Sequence, residues 1–213
     1  MTQAHQAAVS LWLVRHARPI RPDGGSVDGY CYGQLDWPTE PHANAELAQR
    51  LAQRLPQQAL LVSSSRQRCT RLAQQLLQLR HDLHYAGADA RLDELHFGAW
   101  EGQRWDDLGA AALQAWVDDF AAHAPGGGES VQRLLDRVAA AWQAWQAAPL
   151  PCVVWLCHAG TAQALRWLLG YAHPGPSQGL PIAPALPRPQ AHTWPRSNIP
   201  FGGSLIFPRT YPK

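Results

Sequence analysis

The sequence predicts an α/β fold: a mostly parallel sheet covered by helices on both faces, three layers in the order αβα. Short apolar runs alternate with segments of helical periodicity along the chain, which is how crossover helices build a parallel sheet. The runs are continuously apolar rather than alternating, as strands buried on both faces are. Three of them also end in His, Arg or Ser, and the carboxyl ends of parallel strands are where such sheets bind ligands.

The elements follow in order. Leu11 to Val14 is an apolar run emptying into Arg15-His16 and a loop with Pro19, Pro22 and Gly24-Gly25; it reads as a buried strand. Ala43 to Leu55 reads as a helix with Leu47, Leu51 and Leu55 on one face. Ala59 to Val62 is a second strand, followed by Ser63-Ser64-Ser65 and a helix from about Arg66 to Leu79, which the serines can cap. Two consecutive helices are expected between about 110 and 147, separated by Pro125-Gly126-Gly127-Gly128. Cys152 to Leu156 is the third strand, ending at Cys157-His158-Ala159-Gly160, and a helix from Thr161 to Leu169 follows. A late strand is expected at Ser204 to Phe207. The reading is one domain over residues 1–213, with an acid loop and helical cap at about 92–147 and a Pro-rich C-terminal segment at 171–213.

Composition narrows the chemistry. Of 18 basic residues only Lys213 is lysine and the other 17 are arginine. No lysine lies inside the fold for a Schiff base, a P-loop or a kinase ATP pocket. The skew suits a GC-rich genome, but its consequence stands: side-chain anion binding falls to Arg and His. A formal charge of +2 is too slight to argue for nucleic acid or an anionic membrane. Cys31, Cys69, Cys152 and Cys157 show no CxxC and are expected as reduced thiols without a zinc site. Met1 to Ser10 is polar and no apolar run approaches a membrane span, so the expected location is cytoplasmic.

Arg15, His16, Arg68 and His158 all follow predicted strands. A neutral imidazole is a competent nucleophile for phosphorus when one ring nitrogen is tied to a carbonyl. Neighbouring guanidinium groups lower its pKa, bind phosphoryl oxygens and stabilise the transition state. A leaving alkoxide then needs a proton, and two of the five glutamates, Glu94 and Glu101, sit in the irregular segment Leu92 to Gly102.

Here the motifs carry a resemblance. Leu13-Val14-Arg15-His16 resembles the RHG signature of the histidine phosphatase superfamily, the phosphoglycerate mutase-like fold. Ser63-Ser64 with Arg68 is similar to its SSxxxR element, and Leu92 to Gly102 to LxExxFGxWEG. Gly128-Glu129-Ser130 is similar to its GES turn and His158-Ala159-Gly160 to its HGG. The resemblance implies that His16 becomes phosphohistidine and Glu94 donates the proton, while Arg15, Arg68 and His158 clamp the phosphoryl group. It implies no metal or organic cofactor, and a small-molecule phosphomonoester as partner; it leaves oligomeric state open. Ala17 and Ala159 depart from the family glycines, and Arg18 stands where Glu or Gln is frequent.

Cys31 to Asp36 and Trp100 to Leu108 resemble the alpha-ribazole phosphatases, which act in cobalamin nucleotide-loop assembly. Trp105 occupies the position where phosphoglycerate mutases carry a lysine for the substrate carboxylate, so water is the expected acceptor. Tyr32 and Trp105, with Tyr30 and Trp37, are candidates for stacking on a flat base such as dimethylbenzimidazole. The expected activity is therefore hydrolysis of alpha-ribazole 5'-phosphate. The alternatives are a broad-specificity small-molecule phosphatase, a phosphoglycerate mutase, or a catalytically inactive phospho-ligand binding module. Arg66 and Arg71 read as a solvated helix face, Glu101 as structural, Glu129 as a helix N-terminal charge, and Trp142 and Trp145 as core.

Overall fold

A computed structural model describes residues 10–147, 152–170, 188–195 and 199–208. Five strands form one sheet in the order β3-β2-β4-β1-β5: β1 Ser10–Arg15, β2 Leu60–Ser63, β3 His84–Ala88, β4 Cys152–Cys157 and β5 Ser204–Pro208. The first four run parallel, while β5 returns antiparallel beside β1. The helices are α1 Pro41–Arg54, α2 Gln67–Leu79, α3 Ala110–Asp118, α4 Val131–Ala147 and α5 Ala159–Leu168.

The three layers follow from the period-two geometry of the central strands. Trp12 and Val14 of β1 join Val154 and Leu156 of β4 on one face, under Leu47 and Leu51 of α1 and Leu72 and Leu76 of α2. Leu11, Leu13, Val153 and Trp155 point to the other face, under Leu134, Val138 and Trp142 of α4 and Leu165 and Trp167 of α5. Strands apolar at every position therefore need helices on both sides, and have them. Trp142 and Trp145 are core residues, as expected, with ring centroids 4.8 Å apart. Helix α1 begins earlier than expected, with Pro41 in its first turn. Glu40 caps it by accepting from the backbone N–H groups of His42 and Ala43.

Strand β3 is not expected from the sequence. His84-Tyr85-Ala86-Gly87-Ala88 is an edge strand with alternate residues exposed, so it lacks the apolar run that marks the other strands. Between β3 and α4 the chain makes single 3-10 turns at Ala90–Leu92, Gly98–Trp100, Trp105–Asp107 and Pro125–Gly127, which agrees with the irregularity expected of Leu92 to Gly102. The four cysteines are buried and free, and burial pushes the Cys31 and Cys69 thiols up to about 12. Much of the Pro-rich segment 171–213 lies outside the described residues.

Register places the site. Arg15 pairs with Cys157 and Ser63 with Leu156, so β1, β2 and β4 end level and side by side. Leu13→Ala, in a fully buried strand position, is expected to cost about 2–5 kcal/mol in urea denaturation. Leu79→Ala, on an exposed helix position, should stay within about 0.5 kcal/mol.

Candidate active site

His16 follows β1 directly. Its backbone N–H donates to Cys157 O, and its Nδ1 lies 2.7 Å from Ala17 O. A carbonyl can only accept, so Nδ1 carries the hydrogen and the neutral ring holds its lone pair on Nε2. Burial, and then the positive charges of Arg68 and Arg15, hold the pKa of His16 well below the ordinary 6.5, against the opposing pull of the Ala17 carbonyl. The alanine after the histidine thus supplies the acceptor through its backbone.

Arg68 is fully buried on α2. It donates through Nη2 to Gly33 O (2.5 Å), through Nη1 to Leu35 O (2.7 Å) and through Nε to His158 Nδ1 (3.3 Å). Arg15 donates through Nη1 to Ile199 O (3.0 Å) and lays its guanidinium 3.8 Å from the centre of the Phe201 ring. Its Nε is buried with no hydrogen-bond partner among the described residues. Neither arginine has a carboxylate within ion-pair distance among the described residues. Two cations held by neutral acceptors keep their positive charge uncancelled, and a buried charge is stabilised when something compensates it, so the arrangement is suited to an anion.

His158 sits at the N-terminus of α5 and meets His16 edge-on, with ring centroids 5.0 Å apart. Its Nδ1 accepts from Arg68, so its Nε2 carries the hydrogen and donates to Ser64 Oγ (2.7 Å). Burial first, then Arg68 and His16, keep it neutral by lowering its pKa well below 6.5. Glu94 accepts from Leu95 N–H at Oε1 (2.9 Å) and from Gly160 N–H at Oε2 (3.1 Å). A side chain at Gly160 would collide with Glu94 Oε1, so glycine stands where this close approach demands it.

All seven residues expected at the site line one cleft of ≈ 340 Å³: Arg15, His16, Tyr32, Arg68, Glu94, Trp105 and His158. Tyr30 lines it too, whereas Trp37 is buried behind Tyr32, stacked at 5.3 Å. The wall beyond Glu94 is aromatic. Phe97 meets Trp105 at 5.5 Å and Trp116 at 5.9 Å, and Trp116 stacks on Phe120 at 5.4 Å.

Several supports escape a linear reading because their partners are distant in sequence. Glu101 accepts from the backbone N–H groups of Gln34, Leu35 and Phe97, which fixes the loop whose carbonyls hold Arg68. Arg137 donates to the carbonyls of Arg91, Asp93 and Glu94, holding the backbone that carries Glu94. Glu129 stands just before the N-terminus of α4, as expected, and also forms a two-pronged pair with Arg137 (2.7 and 2.8 Å). Arg66, expected on a solvated face, donates to Gln34 O and Asp93 Oδ2. The serines expected to cap α2 turn elsewhere: Ser64 and Ser65 donate to Asp93, and Ser63 Oγ bonds Tyr85.

Among the described residues no cluster of three or more His, Cys, Asp or Glu could hold a metal ion, and no helix is long and apolar enough to cross a membrane.

Two buried neutral histidines link stability to pH. A folded-state pKa below the unfolded value means the unfolded chain binds more protons, so stability is full above about pH 6.5 and is lost as pH falls. The urea midpoint should therefore decline below about pH 6.5, with a slope up to about 1.4 kcal/mol per pH unit for each histidine. A midpoint flat from about pH 7 to 5 would contradict their burial as neutral rings.

Comparison with known proteins agrees with this geometry. The family model of the histidine phosphatase superfamily, branch 1, matches residues 11–185. No curated protein matches the sequence. Among solved structures, a mycobacterial glucosyl-3-phosphoglycerate phosphatase is 30% identical with a TM-score of 0.62, covering 83% of this chain and 82% of its own. The phosphoglycerate mutase of Thermus thermophilus is 28% identical with a TM-score of 0.57, covering 76% and 84%. YhfR of Bacillus stearothermophilus, 21% identical with a TM-score of 0.68 over 92% and 89%, shares the fold. A family match running from β1 past α5, over a cleft that gathers Arg15, His16, Arg68, Glu94 and His158, means that this chain belongs to the histidine phosphatase superfamily, branch 1.

Proposed function

We propose that the chain hydrolyses phosphomonoesters through a phosphohistidine on His16. The observation that carries this is the Nδ1–H bond of His16 to Ala17 O, which leaves the Nε2 lone pair in one cleft with Arg15 and Arg68, neither of them ion-paired among the described residues. In the first step Nε2 attacks phosphorus and the ester P–O bond breaks. A protonated Glu94 gives its proton to the leaving oxygen. The imidazolium then holds phosphorus on Nε2 and keeps Nδ1–H on the carbonyl. In the second step Glu94 takes a proton from water as its oxygen attacks phosphorus and the N–P bond breaks. Phosphate leaves and neutral His16 is restored. Arg15 and Arg68 bind the phosphoryl oxygens and stabilise the charge that develops on them. A phosphoryl dianion beside His158 raises that ring's pKa, so Nδ1 takes a proton and donates to the phosphoryl group in place of accepting from Arg68.

The substrate we favour is alpha-ribazole 5'-phosphate. Glu94 fixes where the leaving oxygen sits, and the wall on that side consists of Phe97, Trp105, Trp116 and Phe120. Such rings suit a flat base. Trp105 supports water over a second substrate hydroxyl as acceptor, because an indole offers a phosphoglycerate carboxylate no charge. Another small phosphomonoester is the second reading, supported by the 30% identical neighbour named for glucosyl-3-phosphoglycerate.

A brief pulse of labelled substrate followed by quench should trap acid-labile, base-stable label on the protein. His16→Ala should lose the label and at least about 10³ in kcat; full activity in that variant sinks the mechanism. Phosphate binding with neither label nor turnover would instead mark a phospho-ligand binding module. Because the His16 pKa lies well below 6.5, the acidic limb of kcat/KM should fall below that value; a limb at or above it contradicts a neutral buried nucleophile. In a panel of phosphomonoesters, alpha-ribazole phosphate should give the highest kcat/KM. Isomerisation of 3-phosphoglycerate, with or without a bisphosphate primer, should be undetectable.

A further inference from the structure

One buried carboxylate near the site takes no part in that chemistry. Asp93 is 5% exposed and precedes Glu94. Its Oδ1 accepts from Ser64 Oγ (2.7 Å) and from Ser65 N–H (2.7 Å), and its Oδ2 from Ser65 Oγ (2.6 Å) and Arg66 Nη2 (3.1 Å). The Ser64 hydroxyl is fully assigned as a result. Its single hydrogen goes to Asp93, so toward His158 and toward Arg66 N–H it can only accept. The chain of donors then has one direction: His158 Nε2–H to Ser64 Oγ, and Ser64 Oγ–H to Asp93 Oδ1.

We infer that Asp93 and Ser64 are positioning residues that act through His158, fixing its Nε2–H tautomer and aiming Nδ1 at the phosphoryl site. This rests on the reading of the cleft as a phosphoryl site. Direction matters because an imidazole has two nitrogens and one hydrogen when neutral, and whichever nitrogen is tied sets the role of the other. With Nε2–H held by Ser64, Nδ1 is left as the nitrogen that faces Arg68. When a phosphoryl dianion arrives, Nδ1 is the position that gains a proton. The resulting imidazolium keeps its Nε2–H on a hydroxyl whose own hydrogen already rests on a carboxylate. The negative charge of Asp93 is thus two hydrogen bonds from the ring, close enough to favour the protonated form without meeting the ligand.

The groups facing His158 are opposed in sign. Arg68 and Cys69 approach from α2, His16 and Arg15 from the end of β1, Glu94 from the acid loop and Arg137 from α4. The nearby cations disfavour a charged ring in the free protein, as the lowered pKa of His158 reflects. The carboxylate of Asp93, reached through Ser64, and the incoming dianion both act the other way. Arg66 partly neutralises Asp93 but touches only Oδ2, leaving Oδ1 to the serines.

Imidazole nitrogen shifts of His158 in isotope-labelled protein test this without any mutation. The free wild-type protein should show the Nε2–H tautomer, and inorganic phosphate should move the ring toward the imidazolium and raise its titration midpoint. An Nδ1–H tautomer in the free protein overturns the inference, whatever the enzyme does. Ser64→Ala leaves only the longer Arg68 contact (3.3 Å) to hold the tautomer, so it should admit a fraction of the Nδ1–H form and weaken inorganic phosphate about tenfold or more, the effect of losing a hydrogen bond to a charged group. Asp93→Asn keeps an acceptor for the Ser64 hydroxyl, so it should keep the tautomer yet lower the His158 midpoint in the phosphate complex. A role confined to packing would leave tautomer and midpoint unchanged in both variants, and that result also overturns it. The correct tautomer in a protein that neither binds phosphate nor turns over phosphomonoesters would retain the relay while discarding the proposed function.

Discussion

Arg68 is a guanidinium with no exposed surface and no acidic partner among the described residues, and much of the site can be understood as the means of keeping it there. Its acceptors are two loop carbonyls and a ring nitrogen. Carbonyls hold a cation without cancelling its charge, so the field remains available to a ligand. Those carbonyls must themselves be fixed, and Glu101 does so by gathering the N–H groups of the same loop. A carboxylate therefore serves the cation at one remove, through backbone, rather than by pairing with it. Arg137 shows the opposite solution, paired directly with Glu129 and used to hold backbone. The two arginines differ in function because they differ in counter-ion.

The same field explains why two histidines can be buried side by side. Each is held neutral first by burial and then by neighbouring positive charge. Their hydrogens are committed in different directions, one to the Ala17 carbonyl and one to Ser64. That commitment leaves His16 Nε2 and His158 Nδ1 as the unprotonated nitrogens of two rings 5.0 Å apart. Backbone placement and second partners, rather than the identity of the residues alone, give the two histidines opposite tautomers.

Legibility in the sequence follows the range of the interaction. Strands β1 and β4 are apolar at successive positions and can be read from a few residues, as can the delivery of Arg15, His16 and His158 to their ends. The five family motifs carry Glu94 and Arg68 as well. Strand β3 is not readable, because an edge strand of His, Tyr, Ala and Gly owes its conformation to the pairing partner β2. Arg66 misleads for a related cause: periodicity tells which face of a helix is solvated but not what another loop brings to that face. Asp93, Arg137, Phe201 and the Trp116 wall depend on partners distant in sequence (Arg66 for Asp93, Glu94 for Arg137, Arg15 for Phe201) or on ring packing. No local pattern encodes those.

The antiparallel return of β5 has a consequence for how the molecule is assembled. β1 lies between β4 and β5, and Arg15 takes its remaining supports from Ile199, Phe201 and Gly203. The strand that leads into His16 is thus the earliest in the sheet, while both of its neighbours come much later in the chain. Closing loops that long is slow, and it must precede the contacts that reward it. A nascent chain emerging in order would hold Arg15 and His16 beside an unpaired strand until β4 and β5 emerge. The cleft and the middle of the sheet are therefore completed together, by the pairing of β4 and β5 with β1.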